Sequence, residues 1–172
     1  DSKGILAMEF IGGVTPSQKN LWYKSGKKHL AESIIENLLV IQKAHNDKFG
    51  PYDNAVYDTW YDYYKEFAKE IYDFSVLMNS QGKLDSTVMK AVEVSYRNLN
   101  KILAEGTGKP TLIHGDYWLP NFIIDKDSME LLAAVDLFIV MWAEPEYELF
   151  ALTVGCGDKL RFFALFSSKV MV

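Results

Sequence analysis

Apolar side chains recur at helical spacing over the first two thirds of the chain and then give way to short continuous runs. Between Lys28 and His45, the residues Leu30, Ile34, Leu38 and Ile41 fall three or four apart, and Asn46, Asp47 and Gly50-Pro51 supply a stop, so the spacing predicts a helix. Val56, Trp60, Tyr64, Phe67, Ile71, Phe74 and Met78 keep the same period, with Asp58, Asp62, Glu66 and Lys69 on other faces, which predicts a second, longer helix. Asp85 or Ser86 can cap a third helix whose stripe is Val88, Val92, Leu99 and Leu103, ended by Gly106 to Pro110. Thr111 to His114, Asn121 to Asp125 and Glu130 to Asp136 read as strands, the last two joined by a polar turn through Lys126 to Ser128. Two apolar helical stretches follow, Glu146 to Val154 and Asp158 to Val170. At the other end, Ile5 to Ile11 runs apolar up to Gly12-Gly13 and reads as a buried strand leaving into a turn. The expected fold class is α+β and mainly helical, one domain with a small hairpin in its middle.

Composition narrows the function more than the fold. A chain of 172 residues, 49% hydrophobic and 14% aromatic, can bury one sizeable core. Eighteen basic against 23 acidic residues give a net charge of −5, the wrong sign for neutralising nucleic acid phosphates, so a small neutral or cationic partner fits better. The most apolar stretch, Leu131 to Ala143, carries Asp136 and is shorter than the ~20 residues of a membrane span. The start, Asp1 to Phe10, lacks the basic region of a signal peptide, and Cys156 is the single cysteine, which excludes an internal disulfide or a zinc ribbon. A cytoplasmic location without membrane attachment is the expectation.

The hairpin brings polar groups together. Opposed residues in a regular hairpin have numbers of constant sum, so a turn centred near Asp127 places Asn121 opposite a residue within about two positions of Asp136. Asp116, in a loop after the strand that ends at His114, comes shortly before Asn121. Two acids and an amide suit a hard divalent cation, since magnesium takes one or two carboxylates plus substrate phosphates and leaves another carboxylate to act as a base. Asp136 stands between Leu131, Leu132, Val135 and Leu137, Phe138, Ile139, where a buried charge needs compensation. The alternative is an aspartate at a strand end that caps a loop or pairs with a basic side chain.

His114-Gly115-Asp116, then Asn121, a hairpin and Asp136-Leu137-Phe138 resemble the catalytic loop and metal aspartate of the aminoglycoside phosphotransferase and choline kinase superfamily. Ala143 to Leu149 is similar to the family's segment in which a proline precedes an acidic residue at a helix start. Met8-Glu9-Phe10-Ile11 before Gly12 looks like the strand that joins the two lobes of these kinases, where backbone groups meet the adenine. Trp118, Phe49-Gly50, Asp53-Asn54, Trp60 and Tyr63-Tyr64 resemble fructosamine kinases and their bacterial relatives, although Pro120 and Leu137 depart from that pattern.

The resemblance implies a protein-kinase-like C-terminal lobe, with residues 1–13 as the inter-lobe hinge strand, 14–172 as the helical lobe, and no N-terminal lobe in the chain. It implies transfer of the γ-phosphate of ATP, or of GTP, to a hydroxyl of a small amine-bearing or sugar acceptor such as an aminoglycoside, a ketosamine or an amino alcohol. On that reading Asp116 and His114 are the catalytic pair, Asp116 accepting the hydroxyl proton or orienting the attacking oxygen and His114 bracing the loop through an acid such as Glu148. Asn121 and Asp136 would hold Mg2+, and Glu9, Phe10, Ile11 and Asn121 would meet the nucleotide. A lobe alone would expose apolar surface, favour self-association and have little activity. The competing reading is a catalytically silent binding or regulatory domain. Gly106 to Pro110 fails as a phosphate-binding loop because Leu103 and Pro110 occupy positions that need glycine and a hydroxyl residue. His29 and His45 lack ligand spacing, Cys156 between two glycines reads as a small packing residue, and the row Tyr57, Trp60, Tyr61, Tyr63, Tyr64 reads mostly as packing.

Overall fold

A computed structural model describes residues 9–16, 26–103, 108–137, 139–156 and 161–170. Its elements, in order, are α1 (Lys27–Ile41), β1 (Gly50–Pro51), α2 (Trp60–Ser80), α3 (Ser86–Arg97), α4 (Leu99–Ile102), β2 (Thr111–Ile113), β3 (Phe122–Ile124), β4 (Leu131–Ala134), β5 (Met141–Ala143), α5 (Glu148–Cys156) and α6 (Phe162–Val170). Contacts divide the chain into two compact units. One comprises Asp1–Ile41, His114–Ile139 and Glu146–Val172, and the other Gln42–Ile113 and Val140–Pro145. No described helix is long and apolar enough to cross a membrane.

The first unit holds α1, the β3–β4 hairpin, α5 and α6. The helical spacing of α1 puts Leu30, Ile34 and Leu38 on one stripe with Ala31 and Ile35 beside it, and all five are almost fully enclosed. They pack on Phe122 and Ile124 of β3, Tyr117 and Leu119 of the preceding loop, Leu149 and Leu152 of α5, and Phe162 and Phe166 of α6. The hairpin pairs Phe122 with Ala134 and Ile123 with Ala133, close to the expected register, then shifts at Ile124, which faces Leu131. Ser33 Oγ on α1 accepts the Leu131 amide at 2.9 Å, fixing β4 against the helix. The N-terminal segment joins the same hairpin. Val14 and Ile124 exchange backbone hydrogen bonds of 2.9 and 3.0 Å, and Gly13 lies so close to Ile123, the Ile124 carbonyl and Leu132 that a Cβ would clash. The strand expected at Ile5 to Ile11 falls partly outside the described residues, and Glu9, Phe10 and Ile11 belong to no strand.

The second unit holds a three-stranded antiparallel sheet, ordered β1-β5-β2, and the helices α2 to α4. Thr59 caps α2 by accepting the Asp62 amide at 3.1 Å, and the helix stops before Gly82, whose φ of 68° is open to glycine. Asp85 rather than Ser86 caps α3, accepting the Thr87 amide at 2.7 Å. The single helix expected over 86–103 breaks at Asn98, whose side chain donates to the Val94 carbonyl at 2.8 Å and competes with the helical ladder. Trp60 is buried in a cluster with Phe49, Tyr63 and Tyr64, as packing predicts. Further along the same stripe Phe67, Ile71 and Phe74 are exposed, so α2 forms with the expected period but its later turns pack by another face, where Ser75 is buried and Tyr72 stacks on Tyr96 of α3. The strands β1 and β5 were not expected, although the apolar run from Leu137 to Ala143 carries the signal for β5.

Leu38 has no solvent exposure in the centre of the first unit. Leu38→Ala should therefore cost about 2 to 5 kcal/mol of folding stability, read as a lowered urea midpoint at unchanged slope.

Candidate active site

The loop from His114 to Asn121 is organised by a carboxylate from outside it. Glu148 opens α5, is almost wholly buried, and accepts the backbone N–H of His114 at 2.5 Å and of Gly115 at 3.0 Å, with the Tyr117 amide a further donor. Burial raises this carboxyl to about 7 against the pull of those three amides. Gly115 has φ of 84° and stands against the carbonyl oxygen of Ile139, only 2.2 Å from where a Cβ would be, so no other residue fits without displacing the chain.

His114 works as a bracket between the two strands of the site. Its Nδ1 accepts the Asp116 amide at 3.3 Å, which leaves the proton on Nε2, 3.0 Å from the Val135 carbonyl to which it donates. The expected hydrogen bond between His114 and Glu148 forms, and it is the backbone amide of His114, not its ring, that donates it. Glu148 holds the backbone of the loop, and the ring spans from Asp116 to the residue before Asp136. Burial lowers the His114 imidazole below its usual 6.5, offset in part by the Val135 carbonyl and by Asp116 and Asp136.

Asn121 is held just as closely. Both of its amide hydrogens go to Asp116, one to the carbonyl at 2.9 Å and one to Oδ2 at 2.8 Å, while its own carbonyl accepts the Val135 amide at 2.9 Å. Neither of these side-chain bonds uses Oδ1. Asp136 follows Val135 but is not buried among leucines as its neighbours suggested. Strand β4 ends at Ala134, and Asp136 turns outward in the left-handed region at φ 70°, one that aspartate tolerates, so its carboxylate is exposed to solvent. Leu137 beside it is 64% exposed. Among the described residues no three acidic, histidine or cysteine side chains form a metal cluster. The donor set is an amide oxygen with aspartates, which suits a magnesium ion that draws its other ligands from phosphate and water.

A cavity of about 240 Å³ opens beside Asp116, lined by Gly115, Trp118, Tyr147, Phe150 and Ala151. Tyr147 and Phe150 come from the start of α5 and the turn before it and were not singled out from the sequence. Their signal is the position beside Glu148, since a helix that sends one residue into the loop presents its neighbours to the loop's outer side. Of the residues expected at the nucleotide, Asn121 lies in this site, whereas Glu9, Phe10 and Ile11 are on the segment that leads into Val14 at the hairpin edge, with Phe10 90% exposed.

Glu148→Gln leaves one acceptor oxygen for several buried amides and turns an NH2 toward them. It should lower stability by about 1 to 3 kcal/mol in urea denaturation. Imidazole nitrogen NMR should show His114 neutral, with Nδ1 unprotonated, at its usual titration point of 6.5. Below 6.5 the unfolded chain gains this proton before the folded one, so His114 makes stability fall as pH drops. Glu148 acts in the opposite sense, its part being lost as pH rises from 4.5 to about 7, so the fall below 6.5 is read in the Glu148→Gln variant.

Comparison with known proteins places this geometry. The chain is 28% identical over 129 residues to the uncharacterized protein YcbJ of Escherichia coli K12, covering 73% of this chain and 42% of that protein, and matches YcbJ of Shigella flexneri equally well. The chain thus spans less than half the length of these curated relatives. Among solved structures, the gentamicin-APH(2")-IIa complex matches with a TM-score of 0.64 at 19% identity, over 94% of this chain and 55% of that one, a likeness of fold. The fold is accordingly α+β and kinase-like. Residues 2–164 match the model of the Phosphotransferase enzyme family, and the chain, with its His114-to-Asp136 site, belongs to that family.

Proposed function

We propose that the protein transfers the γ-phosphate of ATP to a hydroxyl of a small acceptor. The observation that carries this reading is the pairing of Asp116 with Asn121 at the edge of the cavity. With Oδ2 of Asp116 occupied by Asn121, its Oδ1 is the oxygen left to accept the proton of an incoming hydroxyl or to orient that hydroxyl. His114 keeps the loop in place while remaining neutral. Asn121 Oδ1 and Asp136 would hold magnesium, which supplies neutralisation of charge on the phosphates. Catalysis of this kind needs positioning and charge compensation rather than a nucleophilic side chain.

The lining of the cavity supports an amine-bearing or sugar acceptor. A single carboxylate among the rings of Trp118, Tyr147 and Phe150 suits an amine-bearing alcohol or a sugar, whose cationic or C–H faces lie well on aromatic planes. The complex of the structural neighbour with gentamicin supports an acceptor of that kind. Glu9, Phe10 and Ile11 are proposed to meet the base of the nucleotide.

Calorimetric titration of magnesium with ATP should show binding that is lost or strongly weakened in Asp136→Asn. Asp116→Ala should keep that binding and lower phosphoryl transfer about 10²- to 10⁴-fold, the usual weight of a positioned base. Equal nucleotide affinity in wild type and Asp136→Asn would remove the metal assignment.

A further inference from the structure

The hydroxyl of Tyr117 has no part in the chemistry above, yet it is fully buried directly beside Asp116. The ring lies edge-on to Phe122 at 4.6 Å and to His114 at 5.6 Å, space that a phenylalanine would fill as well. A buried hydroxyl is costly unless it is partnered. This one is shared between the Ile34 carbonyl and Asn37 Oδ1, each at 2.9 Å and both on α1. A helical carbonyl keeps a second lone pair for such a bond. The residues on either side of Tyr117, Asp116 and Trp118, both line the cavity, and the Trp118 amide donates to the Asp116 carbonyl at 3.1 Å. Of this three-residue turn, Tyr117 alone sinks into the core.

We propose that Tyr117 is a positioning residue whose hydroxyl, fastened to Ile34 and Asn37 of α1, sets the height and rotation of Asp116 at the cavity. Packing of the ring fills volume but does not fix how far the loop sits from the helix. A hydrogen bond of defined length to the helix backbone does. The consequence for turnover rests on the phosphotransfer reading, whereas the anchoring itself does not.

The test compares Tyr117→Phe with the pair Tyr117→Phe/Asn37→Leu, which removes the hydroxyl together with its side-chain partner, leaves the Ile34 carbonyl to its helical bond, and should recover most of any stability lost. Amide hydrogen exchange should quicken by about tenfold or more at residues 114–121 in both variants, while amides of α5 and α6 exchange as in wild type. Magnesium-dependent ATP turnover should fall between about tenfold and a hundredfold in both, with nucleotide affinity unchanged. Recovery of turnover in the stabilised pair, or quickening spread evenly over the first unit, would overturn the proposal and leave Tyr117 as a packing residue. Absence of turnover in the longest natural form of the polypeptide, together with local quickening in the variants, would support the anchor and remove the phosphotransfer reading instead.

Discussion

The site depends on one buried carboxylate satisfying backbone amides that nothing else would satisfy. The loop from His114 to Tyr117 is too irregular to pair its own N–H groups, and it is enclosed on the side where water would otherwise serve. Glu148 accepts three of them from the first turn of α5. Desolvation works against its charge, the amides work for it, and the loop keeps its shape because that balance exists only in one arrangement. Asp116, Asn121 and the cavity all hang from this loop.

Around that fixed point the remaining polar contacts form a short circuit of mutual constraint. His114 ties Asp116 to Val135, Val135 ties back to Asn121, and Asn121 returns to Asp116. The two ties through Val135 join the loop from His114 to Asn121 to the exit of β4, so Asp116 and Asn121 share one frame with the strand that leads to Asp136. The histidine serves this frame as a neutral ring with opposite hydrogen-bonding edges, a role that an imidazolium, with two donors, could not fill.

Much of this was legible in the sequence because it rests on local period and spacing. The helical stripe of α1, the hairpin register that sets Asn121 opposite Val135, and the motif from His114 to Asp136 all follow from intervals along the chain. What escaped depends on how chain segments meet. The apolar neighbours of Asp136 suggested burial, but β4 ends two residues earlier and the backbone turns outward, a choice set by the pairing of Val135. The bond expected between His114 and Glu148 is present, but intervals along the chain do not tell which atoms of His114 make it or that the Gly115 amide shares the same carboxylate. Asn98 split a continuous apolar stripe because its amide reaches back to the helix, an effect that periodicity does not register.

The bare Cα of Gly115 against the Ile139 carbonyl gives the site a mechanical property of its own. Hydrogen bonds draw the loop and the exit of β4 together, but the Ile139 carbonyl limits how closely the chain can approach Gly115. A gap set by repulsion varies little with ionic strength or acidity, since neither alters an atomic radius. The approach of the loop to the chain at Ile139 is thus held by a hard stop, while the charges around it remain free to respond to their surroundings.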